Sequence, residues 1–207
     1  MSAAGTRPRR TQAERRAATR AALLQAAIDT LVEEGYAAMT TRRVAERAGV
    51  SQGTQMHYFP TKTAFVGEAL RHLAERIAAE ILARVDLRDL TRPRLRAELL
   101  DQAWAVHTGP EVQAAMELWM AARTDPELRP VLSELYDSVL GILSGVGGEL
   151  FPDQSADPVF LELIDLTLAA IRGLAMLPPV TGADALDQHW RAAKRHLLDL
   201  YEQKLGR

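Results

Sequence analysis

The sequence predicts an all-α fold of about nine helices. Apolar residues recur at intervals of three and four through most of the 207 residues, and this spacing lines one face of an α-helix. Glycine and proline interrupt the apolar pattern where helices commonly end. No segment alternates apolar and polar residues between turn signals, as a strand with one buried face would. We therefore expect helices joined by short connections and no strands.

The N-terminal residues predict an arm followed by one helix. Residues 1–12 are basic and lack apolar periodicity, which is typical of a flexible arm. From residue 13 onward, apolar residues follow a helical spacing as far as Gly35. Because glycine often follows the last turn of a helix, we expect this helix to end there.

Two short helices are predicted next, separated by a tight connection. The first begins at Thr40 or Thr41, which are both good N-caps, and ends at Gly49. Gly49 and Val50 lead directly into the second short helix over residues 51–58. Such a pair has the dimensions of a helix-turn-helix, although two short helices can also be ordinary packing in an all-α protein.

Longer helices fill the rest of the chain. Pro60 interrupts the pattern, Thr61 can cap a helix, and a long helix is predicted over residues 62–85. The further predicted helices cover residues 93–108, 112–124, 127–150, 159–177 and 183–205. The stretch 152–158, bounded by two prolines, is predicted to be a loop.

The composition excludes several classes of protein. Hydrophobic residues make up 47% and charged residues 25% of the chain, as in ordinary globular proteins. The absence of cysteine excludes disulfides, thiol catalysis, thiolate zinc sites and iron–sulfur clusters. No apolar run is long enough for a membrane span, and none follows the basic N-terminus as in a signal peptide. We therefore expect a soluble, cytoplasmic protein.

The net charge of −2 conceals an uneven distribution. Residues 1–62 contain ten Lys and Arg against five acidic residues, a net charge of +5. The remaining 145 residues contain 15 basic and 22 acidic residues, a net charge of −7. A basic head on an acidic body suits a segment that binds a polyanion. A solvated basic face with a tag-like tail would give the same numbers.

The second short helix carries residues suited to DNA. It begins with four small polar residues, which allow close approach to phosphates and base edges. These residues are Ser51, Gln52, Gly53 and Thr54. Farther along the helix, residues expected to point outward are Gln55, His57 and Tyr58. Basic residues that flank the helix pair, where we expect DNA phosphates, are Arg42, Arg43 and Lys62.

A long ordered string in this region matches one known family. The string is Gly35-Tyr36, then Thr40-Thr41-Arg42-Arg43-Val44-Ala45-Glu46-Arg47-Ala48-Gly49-Val50-Ser51, then Gly53-Thr54, then Tyr58-Phe59-Pro60-Thr61-Lys62. With this string, residues 20–68 closely resemble the DNA-binding domain of the TetR family of bacterial transcriptional repressors. The resemblance covers about a quarter of the chain, and the rest is similar only in helix number and layout.

The resemblance implies that several residues contact the DNA backbone. Thr41 matches a residue that bonds a DNA phosphate, and Lys62 matches a phosphate-binding lysine. Gln52 and Gly53 match positions that touch phosphates or bases. The basic arm is expected to add salt-dependent affinity through further phosphate contacts.

The resemblance also implies which residues read the bases. Thr54 and Gln55 match major-groove readers, whereas His57 and Tyr58 match positions that contact the backbone and thymine methyl groups. Met56 stands where the family usually has a phosphate-contacting tyrosine, and Gln55 stands where it usually has leucine. We expect Met56 to pack in the core and Gln55 to alter which bases are read.

For the whole chain, the resemblance implies a ligand-responsive repressor that acts as a homodimer on a palindromic operator. It divides the chain into a basic arm (1–12), a helix-turn-helix domain (13–62) and a ligand-binding and dimerisation domain (63–207). Family members use their C-terminal helices for a small-molecule pocket and a two-fold interface.

The last two predicted helices suit the two-fold interface. The helix over 159–177 is apolar nearly all round, which is more than the surface helix of a monomer requires. The helix over 183–205 has one stripe of apolar and aromatic residues, namely Leu186, Trp190, Ala193, Leu197, Leu200 and Tyr201. Two such helices from each protomer could form a four-helix bundle. The alternative is that both helices are buried within one chain.

Polar, aromatic and methionine side chains on otherwise apolar helix faces are the candidate pocket residues. They are Trp104, His107, Met116, Trp119, Met120, Arg123, Tyr136 and Arg172. This set favours an apolar or aromatic effector with an anionic or polar group. The alternative for each residue is an ordinary helical core, with Arg123 on the surface beside Asp125.

No pattern in the sequence predicts an enzyme, a metal site or a cofactor. The five histidines are scattered, and no glycine-rich phosphate loop follows a strand. Two other functions remain open at this point. One is a sequence-tolerant architectural DNA-binding protein, and the other is a helical small-molecule-binding protein or enzyme that retains a vestigial DNA-binding head.

Overall fold

The computed structural model describes residues 11–84 and 92–206, and every regular element in those ranges is an α-helix. The all-α prediction is therefore confirmed for the described residues. Most of the predicted basic arm, residues 1–10, lies outside them. The ten helices are α1 (Gln12–Ala38), α2 (Thr41–Arg47), α3 (Gln52–Tyr58), α4 (Lys62–Arg84), α5 (Arg92–His107), α6 (Pro110–Ala121), α7 (Leu128–Leu150), α8 (Pro152–Ser155), α9 (Pro158–Ala175) and α10 (Ala183–Leu205).

The structure has one helix more than the nine predicted, and this additional helix is α8. It lies in the stretch 152–158, which was predicted to be a loop. Pro152 occupies its first turn, where a missing N–H costs nothing. The carbonyl of Phe151 accepts hydrogen bonds from the N–H groups of Gln154 at 3.0 Å and Ser155 at 2.9 Å. Proline therefore opens a short helix here instead of preventing one.

Hydroxyl side chains cap four of the helices. Thr11 and Glu14 form a reciprocal capping box at α1. Thr40, and not Thr41, caps α2 by accepting from the Arg43 N–H at 3.2 Å. Thr61 caps α4 by accepting from the Ala64 N–H at 3.1 Å. Ser51 caps α3 in the same way. Each hydroxyl satisfies one N–H that the helix itself leaves without a partner.

The chain forms two compact units, with the boundary inside α4 between Ala69 and Leu70. The first unit has a small apolar core in which the rings of Phe59 and Phe65 stack with centroids 4.4 Å apart. Other fully buried members of this core are Leu23, Leu24, Ile28, Val44 and Val66. No described helix is both long and apolar enough to cross a membrane.

Two clusters of buried side chains form the core of the second unit. One cluster joins α5, α9 and α10 through Leu100, Ile171, Trp190 and Leu197. The other contains Leu95, Phe151, Phe160, Leu163, Tyr201 and Leu205. A cavity lies beside both clusters, and residues of each cluster line it.

Candidate DNA-binding surface and effector cavity

The turn between α2 and α3 is closed by backbone hydrogen bonds. The Gly49 N–H donates to the Glu46 carbonyl at 3.1 Å, and the Val50 N–H donates to the Ala45 carbonyl at 3.0 Å. This pair of bonds is the Schellman arrangement that ends a helix. It requires the left-handed backbone seen at Gly49, where φ is 67°. Glycine adopts this conformation without steric cost, and the turn therefore sets the start of α3 two residues later.

The first residues of α3 are held by two hydroxyl groups. Ser51 Oγ accepts a hydrogen bond from the Thr54 N–H at 3.1 Å. A second hydrogen bond joins Ser51 Oγ and Thr54 Oγ1, which lie 2.9 Å apart. Gly53 is exposed beside them. A β-carbon added at Gly53 would have Ser51 Oγ, at 3.9 Å, as its nearest neighbour. The fold of the isolated chain therefore does not require glycine at this position.

One face of α3 is open to solvent. Its exposed residues are Gln52, Gly53, Met56 and His57, which lie one helical turn apart in two adjacent pairs. The opposite side of the helix is buried at Gln55. Thr54 and Tyr58 are half-buried between the two faces. The exposed face is therefore formed by four of the seven residues of α3.

The expectation that Gln55 points outward is wrong for this structure. Its side chain is fully buried, and its amide nitrogen donates to the Phe59 carbonyl at 2.9 Å. Among the described residues, its amide oxygen has no hydrogen-bond partner. Position 55 lies on the inward side of α3, where an apolar residue would be expected. The leucine that the resembling family carries at this position was the signal for burial.

The prediction that Met56 packs in the core is also wrong. Its side chain is 54% exposed and lies on the open face with Gln52 and His57. The helical period explains both errors, because the one-residue step from 55 to 56 rotates a side chain by about 100°. Sequence reasoning therefore missed Met56 as a surface residue of the candidate DNA-binding face.

Arg42 and Arg43, which were predicted to contact phosphates, form ion pairs with carboxylates in this structure. Arg42 lies 3.8 Å from Glu46 in an exposed pair, and Arg43 forms an ion pair with Glu34. The Arg42–Glu46 pair is exposed at both side chains and contributes little to stability, so Arg42 can exchange partners at low cost. Glu34, in contrast, is only 22% exposed, and the oxygen that pairs with Arg43 is buried.

Two other residues that were predicted to contact DNA form hydrogen bonds to backbone carbonyls of the first unit. Lys62 Nζ donates to the Tyr36 carbonyl at 2.8 Å and lies 3.8 Å from the centroid of the Tyr36 ring. The hydroxyl of Tyr58 donates to the Arg16 carbonyl at 3.3 Å. Thr41, the first residue of α2, is half-buried. Lys62 and Tyr58 thus connect the ends of α3 and α4 to α1 in this structure.

The second unit contains a cavity of about 160 Å³. Helices α4, α5, α6, α7 and α9 supply its walls, which are apolar except at a few side chains. Four of the predicted pocket residues line it, namely His107, Met116, Trp119 and Arg172. No lining residue is acidic. Its α4 and α7 residues, such as Leu73, Ile77 and Ile142, were missed because nothing in sequence separates them from ordinary core residues.

Arg172 is the most unusual residue of this cavity. Its guanidinium carbon lies 4.7 Å from the ring centroid of Trp119 and 5.5 Å from that of Tyr136. We find no hydrogen bond or ion pair to this guanidinium from residues 11–84 or 92–206. The nearby Asp165 carboxylate accepts a hydrogen bond from the Tyr136 hydroxyl instead. Burial lowers the pKa of Arg172, although Tyr136 and Asp165 partly oppose that effect.

His107 is the second polar group of the cavity wall. Its Nδ1 lies 2.8 Å from the Ala103 carbonyl, and because a carbonyl can only accept, Nδ1 carries the proton. Burial is the main cause that lowers the pKa of His107, and the positive charge of Arg172 lowers it further. The neutral ring therefore keeps a lone pair on Nε2.

The remaining predicted pocket residues lie elsewhere. The ring of Trp104 stacks on that of Trp190 with centroids 4.9 Å apart. Met120 is 47% exposed, and Arg123 is exposed in the turn after α6. Tyr136 contacts Trp119 and Arg172 from behind the wall. Because α6 ends at Ala121, its helical periodicity no longer determines where Arg123 points.

A second cavity of about 150 Å³ adjoins the first. The two share wall residues, including Ala103, Leu143 and Leu168. Arg96 lies on its wall, with the guanidinium hydrogen-bonded to Gln154 and 5.2 Å from the centroid of the Tyr201 ring. The charged group of this cavity is thus already hydrogen-bonded, unlike Arg172.

The apolar faces of the last two helices are used differently. The stripe predicted on α10 packs within the chain, since Trp190, Leu197 and Tyr201 are all buried. On α9, by contrast, Leu161 and Leu166 are 44% and 47% exposed. For most of the α10 stripe, the alternative prediction of burial within one chain is therefore correct. The large apolar side chains that stay exposed on the last two helices are those of α9.

Comparisons with known proteins agree with the geometry. A family model for bacterial regulatory proteins, tetR family, matches residues 23–69. The HTH-type transcriptional regulator CymR of Pseudomonas putida is 32% identical over 81% of this chain and 83% of its own length. A transcriptional regulator from Rhodococcus sp. Rha1 has a similar structure, with a TM-score of 0.63 and 25% identity over 89% of this chain and 96% of that one.

A multidrug binding protein is also similar in structure. EbrR, in its complex with ethidium, has a TM-score of 0.60 and 26% identity over 86% of this chain and 97% of its own. CymR and the Rhodococcus protein are named as transcriptional regulators, not as enzymes.

Proposed function

Because the chain belongs to the TetR family of bacterial regulatory proteins, we propose that it is a ligand-responsive repressor that binds a palindromic operator as a homodimer. The observation that carries this proposal is the solvent-open face of α3, which presents Gln52, Gly53, Met56 and His57 beyond a tight helix-turn-helix connection. We place the protein in the cytoplasm, where the DNA is.

The open face of α3 has the chemistry to read a major groove. Gln52 can form two hydrogen bonds to an adenine, and the thioether of Met56 can contact a thymine methyl group. Gly53 lets the helix backbone come close to the DNA, since no side chain stands between them. Arg42 can exchange its exposed carboxylate partner for a phosphate, and the exposed guanidinium of Arg43 can contact a phosphate while it stays paired with Glu34. Both contacts make affinity fall with salt.

The apolar face of α9 supports a two-fold interface between copies of the chain. Leu161 and Leu166 are large apolar side chains left exposed on α9, whose other side packs against α5, α7 and α10. Burying them against the same face of a second chain would remove this apolar surface from water. A two-fold dimer then binds two half-sites about 34–36 Å apart, one turn of the double helix.

The cavity of the second unit supports the effector response. Its walls suit an apolar or aromatic molecule, and the similar protein EbrR has been crystallised with ethidium. Helix α4 supplies Leu73 and Ile77 to the cavity and begins in the first unit with Phe65 and Val66. An effector that prefers one position of α4 would shift the population of DNA-binding states, to the extent of its preference.

Selection from random duplex DNA by the purified full chain tests the proposal. We expect one enriched palindrome, whose affinity decreases as the salt concentration rises, and a dimeric mass in sedimentation. Diffuse, salt-sensitive binding without an enriched site would instead favour a sequence-tolerant architectural protein.

Arg42→Ala is a useful variant in the same assay. We expect it to weaken all sequences similarly and to reduce the slope of log affinity against log salt by about one. Arg191→Ala, at an exposed i,i+4 pair on α10, is the matched control that should leave the slope unchanged.

A further inference from the structure

The guanidinium of Arg172 is a charge without a counter-ion at the wall of a cavity. The rings of Trp119 and Tyr136, which contact each other, lie beside it, and the described residues offer it no hydrogen bond and no ion pair. None of its five N–H donors therefore has an acceptor among these residues. A half-buried charge of this kind costs free energy unless something else compensates it.

The groups around Arg172 supply that compensation only in part. Asp165 lies near enough to affect it electrostatically, but its carboxylate is hydrogen-bonded to Tyr136. His107 presents a neutral ring to the same cavity and would add positive charge if it were protonated. No acidic residue lines the cavity. The residues that line the cavity therefore carry positive charge or none, which disfavours a cationic ligand.

The size and lining of the cavity limit what fits beside this charge. A volume of about 160 Å³ is close to that of an engineered apolar cavity of about 150 Å³ that binds benzene. Trp119 and Met116 offer aromatic and polarizable surfaces to a single ring. A carboxylate matches the planar fork of a guanidinium through two parallel hydrogen bonds. A singly charged headgroup also loses less hydration in such a site than a phosphate does.

We propose that Arg172 anchors the carboxylate of a small aromatic monocarboxylate effector whose ring occupies the cavity beside Trp119. The inference rests on the proposed effector function and specifies the chemical class of the effector. Arg172 contributes the charge and the donors at the cavity wall, and the contacting rings of Trp119 and Tyr136 pack beside its guanidinium. The neutral His107 makes the site apolar and leaves a nitrogen that can take a proton when an anion enters.

A charge series of three small molecules tests the proposal. Benzoate, benzamide and benzamidinium share one ring and a planar headgroup but carry charges of −1, 0 and +1. We would titrate each into the full-length protein by isothermal titration calorimetry at pH 7.5. We expect benzoate to bind about tenfold more tightly than benzamide, and benzamidinium to bind more weakly than either.

Two arginine variants assign the effect to a residue. In Arg172→Met, which keeps an unbranched side chain and removes the charged guanidinium, we expect the preference for benzoate to disappear. In Arg123→Met, where the arginine is exposed outside the cavity, we expect binding as in the unchanged protein. The melting temperature supplies a second readout. Without ligand it should rise in Arg172→Met, because an uncompensated charge is removed, whereas a purely structural arginine would lower it when lost.

The alternative outcomes each decide the question. Equal binding of the three compounds, no binding of any of them, or a benzoate preference that survives Arg172→Met would overturn the proposal. If Arg172→Met fails to fold, Arg172→Lys retains the charge without the planar fork. It should then keep the order of the series while losing several-fold in benzoate affinity. No loss of benzoate affinity in that variant would count against a paired carboxylate.

The failure of this inference is distinguishable from failure of the proposed function. A neutral compound that releases the selected operator, combined with no benzoate preference, would refute only the carboxylate. Benzoate binding through Arg172 without any release of operator by cavity ligands would refute the effector response and leave the anion site standing.

Discussion

The two units treat their polar residues in opposite ways. In the first unit, the functional candidates on α3 are exposed, and the basic residues around them hold partners within a few residues or on a neighbouring helix. In the second unit, Arg172 of α9 and His107 of α5 lie 65 positions apart in the sequence and line the same apolar cavity. Exposed polar residues on α3 therefore need not destabilise the chain, whereas an incompletely compensated charge at the wall of an apolar cavity does.

The largest expected effect concerns Gly53 on the open face of α3. Gly53→Ala should leave the fold intact, because its β-carbon would meet nothing closer than 3.9 Å, and helix stability should rise by about 0.5–1 kcal/mol. Affinity for the selected operator should nevertheless fall about tenfold, since the methyl group stands between helix and DNA. Fluorescence anisotropy with labelled operator and thermal unfolding measure the two effects.

Gly148→Ala is the matched control for that substitution. Gly148 lies within α7 and has nothing within 4 Å of its potential β-carbon. It should therefore give the same gain in stability with no change in operator affinity. An unchanged affinity in Gly53→Ala would show that this part of α3 does not approach DNA closely.

Gln55→Leu should separate burial from base reading. The substitution removes an amide oxygen that has no hydrogen-bond partner among the described residues and adds apolar surface to the core. It also leaves the Phe59 carbonyl without its side-chain donor. We expect a net gain of about 1 kcal/mol in the free energy of unfolding, with the selected sequence unchanged. A changed base preference would mean that Gln55 leaves the core to contact DNA.

A pH dependence of stability should come from the second unit. Burial lowers the pKa of His107 from its usual 6.5, so the unfolded chain binds a proton at a higher pH than the folded one. The contribution of His107 to stability is therefore complete above about pH 6.5 and is lost as the pH falls from there through its lowered folded pKa.

Denaturant titrations between pH 5 and 8 measure that dependence. In His107→Gln this part of the slope should disappear, whereas His189→Gln, at an exposed position on α10, should leave it unchanged. A slope of the same size in both variants would contradict the assignment to His107.

The smallest expected effect concerns Met56. Met56→Ala should weaken binding to the selected operator about threefold, because a single apolar contact to a methyl group is worth less than 1 kcal/mol. Replacing each thymine of the operator in turn by deoxyuridine removes one methyl group at a time. The substitution that costs the unchanged protein affinity, but not Met56→Ala, identifies the contacted base. If no such thymine exists, Met56 makes no methyl contact.

Local sequence signals were sufficient for the helices and their caps. The capping threonines, the glycine of the helix-turn-helix and the apolar periodicity act within a few residues of one another, and each appears in the structure close to its predicted place. Only α8 was missed, because a proline that can end one helix can also occupy the first turn of the next.

The errors concern which way single residues face. Gln55 and Met56 exchanged their expected environments because one step along a short helix decides between core and solvent, and seven residues contain too few apolar positions to define the inward side. Likewise, Trp104 was expected to line the pocket, but its ring stacks on that of Trp190, which lies 86 positions away in the sequence.

The all-helical fold, the helix-turn-helix and the family resemblance can all be predicted from the amino-acid sequence, since short-range patterns encode them. Three-dimensional packing was needed to show that Arg172 lies beside two aromatic rings with no ion-pair partner among the described residues, that Arg123 is exposed outside the cavity, and that Gln55 is buried. Those outcomes depend on which distant helices meet and leave space between them. Packing of that kind is a property of the whole chain and not of any local stretch.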